Sequence, residues 1–209
     1  MKIVFNAEKD IPECIERFKT EEKTKENILR RVFETYSKNT NPEEVLLKVT
    51  LLNAYYSTFL NNSRPNRSAE TQQKKQTVDI ETMANLIVGE KEFDALLAEG
   101  TPEAAVNRLR KICREEYNDI YSFASKYCNW HFPEKYPIVD RYSKGVLYYL
   151  NRDETYRFCD PFKQSKLSDY DFFCNVFRAF QQKYADGYSV KDTDAFLWEF
   201  GKERGLSIS

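Results

Sequence analysis

The sequence predicts an all-α protein. Three observations carry that expectation. Apolar residues recur at helical rather than alternating spacing along most of the chain. Helix-start grammar appears twice, at Asn41-Pro42-Glu43-Glu44 and Thr101-Pro102-Glu103. In each, a capping residue precedes a first-turn proline and acids that face the positive helix end. Strand signals are almost absent beyond Lys2–Phe5, which is short and has no evident partner.

Taken in order, the elements sum to roughly eight to ten helices. The stretch Thr20 to Arg31 is mixed-sign and reads as a solvated helix face. The Asn41 start opens Val45 to Asn61, VLLKVTLLNAYYSTFLN, which is apolar nearly all round and predicts a central buried helix. Thr50, Asn53, Ser57 and Asn61 recur on it at spacings of three and four, so they share a face. A buried polar stripe must be satisfied. It either bonds to neighbouring backbone or lines a ligand pocket, with Tyr55 and Tyr56 as aromatic walls. The linker Asn61 to Gln76 has no large apolar residue and carries Arg64, Arg67, Lys74 and Lys75 against one acid, Glu70. It reads as a solvated loop or as a basic arm over a phosphate backbone.

The Thr101 start opens a helix with Ala105, Val106, Leu109, Ile112 and Cys113 on one face. Tyr121 to Leu150 then splits into a helix to about Trp130, a loop holding Pro133 and Pro137, and a helix from about Ile138. Ser122, Ser125 or Lys126, and Asn129 share one face of the first of these. Asp140 lies in the first turn of the second, facing the helix dipole and free backbone N–H groups. Arg141, Lys144, Lys126 and Lys135 are near it in sequence, with Glu134 as another acid. An acid among bases and aromatics suits a site that approaches phosphates. Phe172, Phe173, Val176, Phe177, Phe180 and Tyr184 form an apolar stripe with Ser168 as its cap. Gly89, Gly100, Gly187 and Gly201 mark helix ends. A last helix, Asp192 to Gly205 with Trp198, closes the core.

Composition narrows the function. Of 209 residues, 41% are hydrophobic and 31% charged, which describes a globular chain rather than a disordered one. Net charge is −1, so any nucleic-acid surface is a local patch. The five cysteines are scattered with no CxxC pair, which excludes zinc ribbons and predicts buried free thiols in a reducing cytoplasm. His131 is the single histidine, so a His-rich metal site is excluded. GxGxxG, GxxxxGK[ST] and GxSxG are all missing. No metal and no cofactor are expected, and neither a signal peptide nor a membrane span is indicated.

Pro137-Ile138-Val139-Asp140-Arg141-Tyr142 resembles the "apolar-Val-Asp-Thr-His" segment of the helix-hairpin-helix DNA glycosylase superfamily, which carries that superfamily's catalytic Asp at a helix start. Leu51-Leu52-Asn53-Ala54-Tyr55-Tyr56-Ser57-Thr58 is similar to the superfamily's "Leu-Ser-Gln-Gln-Thr" helix end. The likeness runs from about Val45 to Leu150. The chain is also similar to a group of bacterial and phage-associated proteins with "fYsT" and "SKYc-x-H-x-Pe-x-yPI-x-D" patterns. It departs where the hairpin glycines should stand, since Arg114 to Asp119 has none. The Schiff-base lysine of bifunctional members would fall near Tyr121 or Ser122, and neither is Lys.

The resemblance implies a helical glycosylase-like fold with two helical lobes around a cleft. Residues 1–209 would form one unit, with 42–150 as core segment and flanking helices at 1–41 and 151–209. It implies a cytoplasmic monofunctional DNA glycosylase without lyase activity, acting on duplex DNA with a modified base. Asp140 would be catalytic, with Asn53, Tyr55, Tyr56, Ser57 and Trp130 around a flipped-out base. Arg64, Arg67, Lys74, Lys75, Lys126, His131, Arg141 and Lys144 would contact DNA. The phage-associated relatives suggest a bulky base such as glucosylated hydroxymethylcytosine, and so phage defence. The alternatives are a non-catalytic nucleic-acid-binding protein of the same fold and a helical protein-interaction module.

Overall fold

The computed structural model describes residues 4–56, 60, 78–114 and 119–208. Among these residues all regular structure is helical. In chain order the helices are α1 (Ala7–Glu21), α2 (Lys23–Thr35), α3 (Pro42–Tyr56), α4 (Ile80–Gly89), α5 (Phe93–Glu99), α6 (Pro102–Arg114), α7 (Tyr121–His131), α8 (Arg141–Arg152), α9 (Tyr170–Tyr184) and α10 (Val190–Arg204). A 3₁₀ turn spans Gln164–Ser168. Val4 and Phe5, the described end of the expected strand, are not in a strand; residues 1–3 lie outside the described residues. No described helix is long and apolar enough to cross a membrane. The chain divides into two compact units, one of residues 1–26 and 133–209, the other of residues 27–132. The boundary falls inside the 42–150 segment.

The first unit packs α10 against α1 and α8, and α8 against α9. Its core is aromatic. Phe173, Phe177, Phe180, Phe196 and Phe200 are fully buried. Phe5 packs its ring among Phe180, Phe196, Phe200 and Tyr184 at centroid distances of 5.1–6.4 Å. The cap of α9 is Asp169, not Ser168, because the Asp169 carboxylate reaches the Phe172 N–H at 3.0 Å.

Gly201 is not a helix end. It sits inside α10 at its crossing with α8, where a Cβ would stand 2.8 Å from the Tyr142 Cβ and 3.0 Å from Val146. The terminator is Gly205, in the left-handed region at φ +63°. There the Leu206 N–H bonds to the Gly201 carbonyl at 2.9 Å, a Schellman-type closure with Leu206 buried. The chain then turns back over α8. A Cβ on Gly145 would meet the Leu206 carbonyl oxygen at 2.4 Å, and the Ile208 N–H donates to the Arg141 carbonyl at 3.0 Å.

The second unit packs α3 against α4, and α6 against α5 and α7. Its central helix is α7 rather than α3. Phe123 to Trp130 are all buried, whereas α3 leaves Leu47, Thr50 and Ala54 exposed. Local polar bonds explain the reversal. In α7, Ser125 Oγ donates to the Ser122 carbonyl at 3.1 Å and Lys126 Nζ to Ser122 Oγ at 3.0 Å, so polar side chains enter the core already partnered. Cys14, Cys128 and Cys174 are buried free thiols and Cys159 a half-buried one; the Cys113 side chain lies outside the described residues.

Gly145→Ala is expected to lower unfolding free energy by about 1–3 kcal/mol, because its neighbour is rigid backbone. Gly89→Ala, whose Cβ meets nothing within 4 Å, should cost nothing. Urea denaturation of both variants checks this; equal midpoints would refute the close approach.

Candidate functional site

Asp140 is the N-cap of α8, one position before its first turn. Its Oδ1 accepts from the N–H groups of Tyr142 and Ser143, both at 2.8 Å. Ser143 closes a capping box by accepting from the Asp140 N–H at 2.9 Å and donating to the Ile138 carbonyl at 3.0 Å. The approach to the cap is held from other helices. Tyr170, fully buried on α9, donates its hydroxyl to the Pro137 carbonyl at 2.9 Å. Asp194, buried on α10, accepts the Ile138 N–H on both oxygens at 3.0 and 3.1 Å. Burial pushes the Asp194 carboxyl well above the usual carboxylate range, against the pull of the Ile138 N–H and Lys191; the charges of Asp140 and Glu134 add to the rise. The Asp140 side chain itself is half-buried, and Oδ2 takes no part in the cap. Arg141 is exposed, donates to the Tyr142 hydroxyl at 2.7 Å and lies 4.6 Å from that ring's centroid. Lys144 is half-buried one turn on.

The other described candidates belong to the second unit. Tyr56 and Trp130 meet at 6.4 Å between ring centroids, and Lys126 Nζ lies 5.4 Å from the Tyr56 centroid. Asn53 Oδ1 accepts the Leu60 N–H at 3.2 Å, so its carbonyl is engaged by backbone. Tyr55 is half-buried. Trp130 and Lys126 are both buried, which differs from a stacking tryptophan and a phosphate-facing lysine. The reason is the central place of α7. Ser57, Arg64, Arg67, Lys74 and Lys75 lie outside the described residues.

His131 departs furthest from its expected role. Its ring packs against Phe33 at 5.0 Å and Tyr127 at 5.2 Å, and its Nε2 is enclosed with no hydrogen-bond partner. Burial, then the nearby Lys48 ammonium, pushes its pKa down to about 3. A neutral imidazole with its Nε2 enclosed brings no charge to a phosphate.

The sequence reading missed the polar centre beside it. Lys48 is fully buried on α3. Its Nζ donates to the carbonyls of Tyr36 and Lys38 at 3.0 and 2.9 Å and to Asn39 Oδ1 at 2.7 Å. Tyr127 donates to the same Asn39 oxygen at 2.5 Å, and the Asn39 amide donates to Asp94 at 2.7 Å. Burial lowers Lys48 to about 8, against the attraction of Asp94 and Glu44, and raises the Tyr127 phenol. The signal was available: Lys48 shares the face of Val45, Val49 and Leu52. Enclosed and fully bonded, this centre holds structure rather than a reactant. Among the described residues no group of His, Cys, Asp or Glu is placed to hold a metal ion.

The profile of the family HI_0787_N, N-terminal domain, matches residues 10–135, and the chain belongs to that family. The match contains Asn53, Tyr55, Tyr56, Lys126, Trp130 and His131 and ends before Asp140. A protein of Haemophilus influenzae, named there as an uncharacterized protein, is 35% identical over 127 residues, 59% of this chain and 58% of the relative. The chain thus matches less than two thirds of that relative's length. No solved structure matches the chain.

Two outcomes are expected here. Below pH 6.5 the unfolded state protonates His131 while the folded state stays neutral until about pH 3, so stability falls as pH falls through that window. Allowing for partial exposure, the loss from pH 7 to 5 is about 1–2 kcal/mol, and His131→Phe should reduce it. Lys48→Met strands three acceptors and should cost about 2–4 kcal/mol at pH 7. Urea melts at both pH values test the pair; an unchanged pH slope in His131→Phe would count against the buried neutral imidazole.

Proposed function

We propose that the chain is a monofunctional DNA N-glycosylase, with the helical two-lobed glycosylase-like fold that its resemblance implies. One observation carries the reading. Asp140 is held at a helix N-terminus through Oδ1 alone, which leaves Oδ2 for a reacting sugar. The target nucleotide leaves the stack, because its glycosidic bond is otherwise out of reach. The C1′–N bond breaks and its electron pair departs with the base. The Asp140 carboxylate stabilises the cationic sugar, as carboxylates do in glycoside hydrolysis. Water adds to C1′ and gives its proton to Asp140. With a base such as glucosylated hydroxymethylcytosine, the activity would serve phage defence in the cytoplasm.

The burial of Trp130 and Lys126 favours a second reading, a nucleic-acid-binding protein of the same fold that releases no base.

The test is abasic-site formation on DNAs carrying uracil, alkylated bases or glucosylated hydroxymethylcytosine. Asn is as good an N-cap as Asp, so Asp140→Asn keeps α8 intact. It should lower base release by about 100-fold or more and leave DNA binding within about twofold. Equal activity in the variant would end the glycosylase reading. Absence of abasic sites with every DNA, with binding retained, would establish the second.

A further inference from the structure

Helix α8 carries three cations and no acid: Arg141–Arg152 holds Arg141, Lys144 and Arg152. Its buried residues are Ser143, Gly145, Val146, Leu147, Leu150 and Asn151, with Gly145 under the C-terminal tail at Leu206. At 3.6 residues per turn, Arg141, Lys144, Tyr148 and Arg152 share the remaining arc of about 120°, over about 16 Å of helix, bordered on one side by Gly145 and the C-terminal tail. Arg141 and Arg152 are exposed, Lys144 and Tyr148 half-buried.

Beside the C-terminal half of this face lies a row of half-buried rings. Tyr148 and Phe162 are 6.1 Å apart between centroids, Phe162 and Phe172 5.3 Å, and the exposed Lys166 holds its ammonium 5.2 Å from Phe172. Elsewhere in the unit Arg17, Lys19 and Lys191 sit in ion pairs. Among the described residues Arg141, Arg152 and Lys166 form none. Of the acids nearby, Asp153 takes the Thr155 N–H at 2.9 Å and Asp169 the Phe172 N–H at 3.0 Å, while Glu154, Asp160 and Asp171 are exposed.

We propose that the outer face of α8 and the Tyr148–Phe162–Phe172 row form a platform for single-stranded nucleic acid, with Arg141, Lys144, Arg152 and Lys166 on phosphates and Tyr148 and Phe162 under bases. Cations along a helix, set beside rings that pack edge to face, match a polymer that carries phosphates beside π-faces. A duplex hides its base faces within the stack, so the rings select the single strand. An acidic peptide would use the cations and leave the rings idle. The platform shares with the glycosylase reading the chemistry of the partner and two cations, Arg141 and Lys144. It needs neither Asp140 nor base release, and its rings, Tyr148 and Phe162, have no part in the glycosylase reading, so variants of Asp140 and of Tyr148 separate the two.

The test is fluorescence anisotropy of the full chain with labelled oligothymidylate at low salt, competed by duplex DNA of equal length and by polyglutamate. Tyr148→Leu should weaken binding about 5- to 100-fold, while Tyr148→Phe, which keeps the ring, stays within about twofold. Replacing Arg141 and Arg152 with Gln should flatten the log–log salt dependence by about 1.4, two cations at roughly 0.7 each on a single strand. Arg178→Gln, an exposed cation on α9, should change neither affinity nor slope beyond its small effect on net charge. Circular dichroism melts confirm folding of each variant. The platform is refuted if the chain fails to bind the oligothymidylate, if Tyr148→Leu binds like wild type, or if polyglutamate or duplex competes as well as the strand. Loss of base release in Asp140→Asn with Tyr148→Leu still releasing base bears on the glycosylase reading alone.

Discussion

The peptide groups that lead into α8 belong to no regular element, and buried backbone polar groups must be met. That constraint organises the first unit. The Pro137 carbonyl needs Tyr170, the Ile138 N–H needs Asp194, and the Asp140 N–H needs Ser143. Each donor or acceptor comes from a helix that is itself fixed by the aromatic core. The Arg141 carbonyl is met by Ile208, which reaches it only because Gly205 reverses the chain and Gly145 lets Leu206 lie on α8. A single irregular approach thus dictates the placement of α9, α10 and the C-terminal tail. The position of the Asp140 carboxylate is the common product.

The second unit meets a similar demand with a charge. The turn after α2 exposes carbonyls to the core, and Lys48 reaches them from α3. An ammonium there complements the negative end of α2. The desolvation that lowers Lys48 is offset by three acceptors, and Asn39 passes the bonding on to Tyr127 and Asp94. Burial, with the same ammonium beside it, keeps His131 neutral. The imidazole can then pack like a hydrocarbon ring between Phe33 and Tyr127.

Much of this was legible where one residue type has one local use. Asn41-Pro42 and Thr101-Pro102 start α3 and α6 as read, and the helices around Pro133 and Pro137 end and begin close to their expected bounds. Asp140 was found, though as cap rather than first-turn residue, because both positions face the same N–H groups. Reading failed where two residues compete for one job or where the reason is tertiary. Ser168 and Asp169 are both competent caps, and only geometry selects between them. Gly201 looks like a terminator until its neighbour across the helix crossing is known. Hydropathy made α3 central because a polar side chain bonded within its own helix, as in α7, is indistinguishable in sequence from one that needs water. For the same reason Lys48, Lys126 and His131 could not be sorted into buried and exposed charges.

The two proposals place opposite charges on one helix, and the arrangement has a physical logic. A strand carrying phosphates is drawn by long-range attraction, so cations serve best when spread along an exposed face such as Arg141 to Arg152. A developing sugar cation is stabilised at contact distance, so its carboxylate serves best when fixed and partly enclosed, as Asp140 is. Placing the carboxylate at the N-cap satisfies both. The backbone N–H groups of α8 hold one of its oxygens and orient the other. The first cation of the stripe follows at the very next residue. Were Asp140 in the middle of α8, it would cancel the stripe it adjoins; at the cap, its charge is answered by the helix terminus and the outer face stays cationic from its first turn to its last.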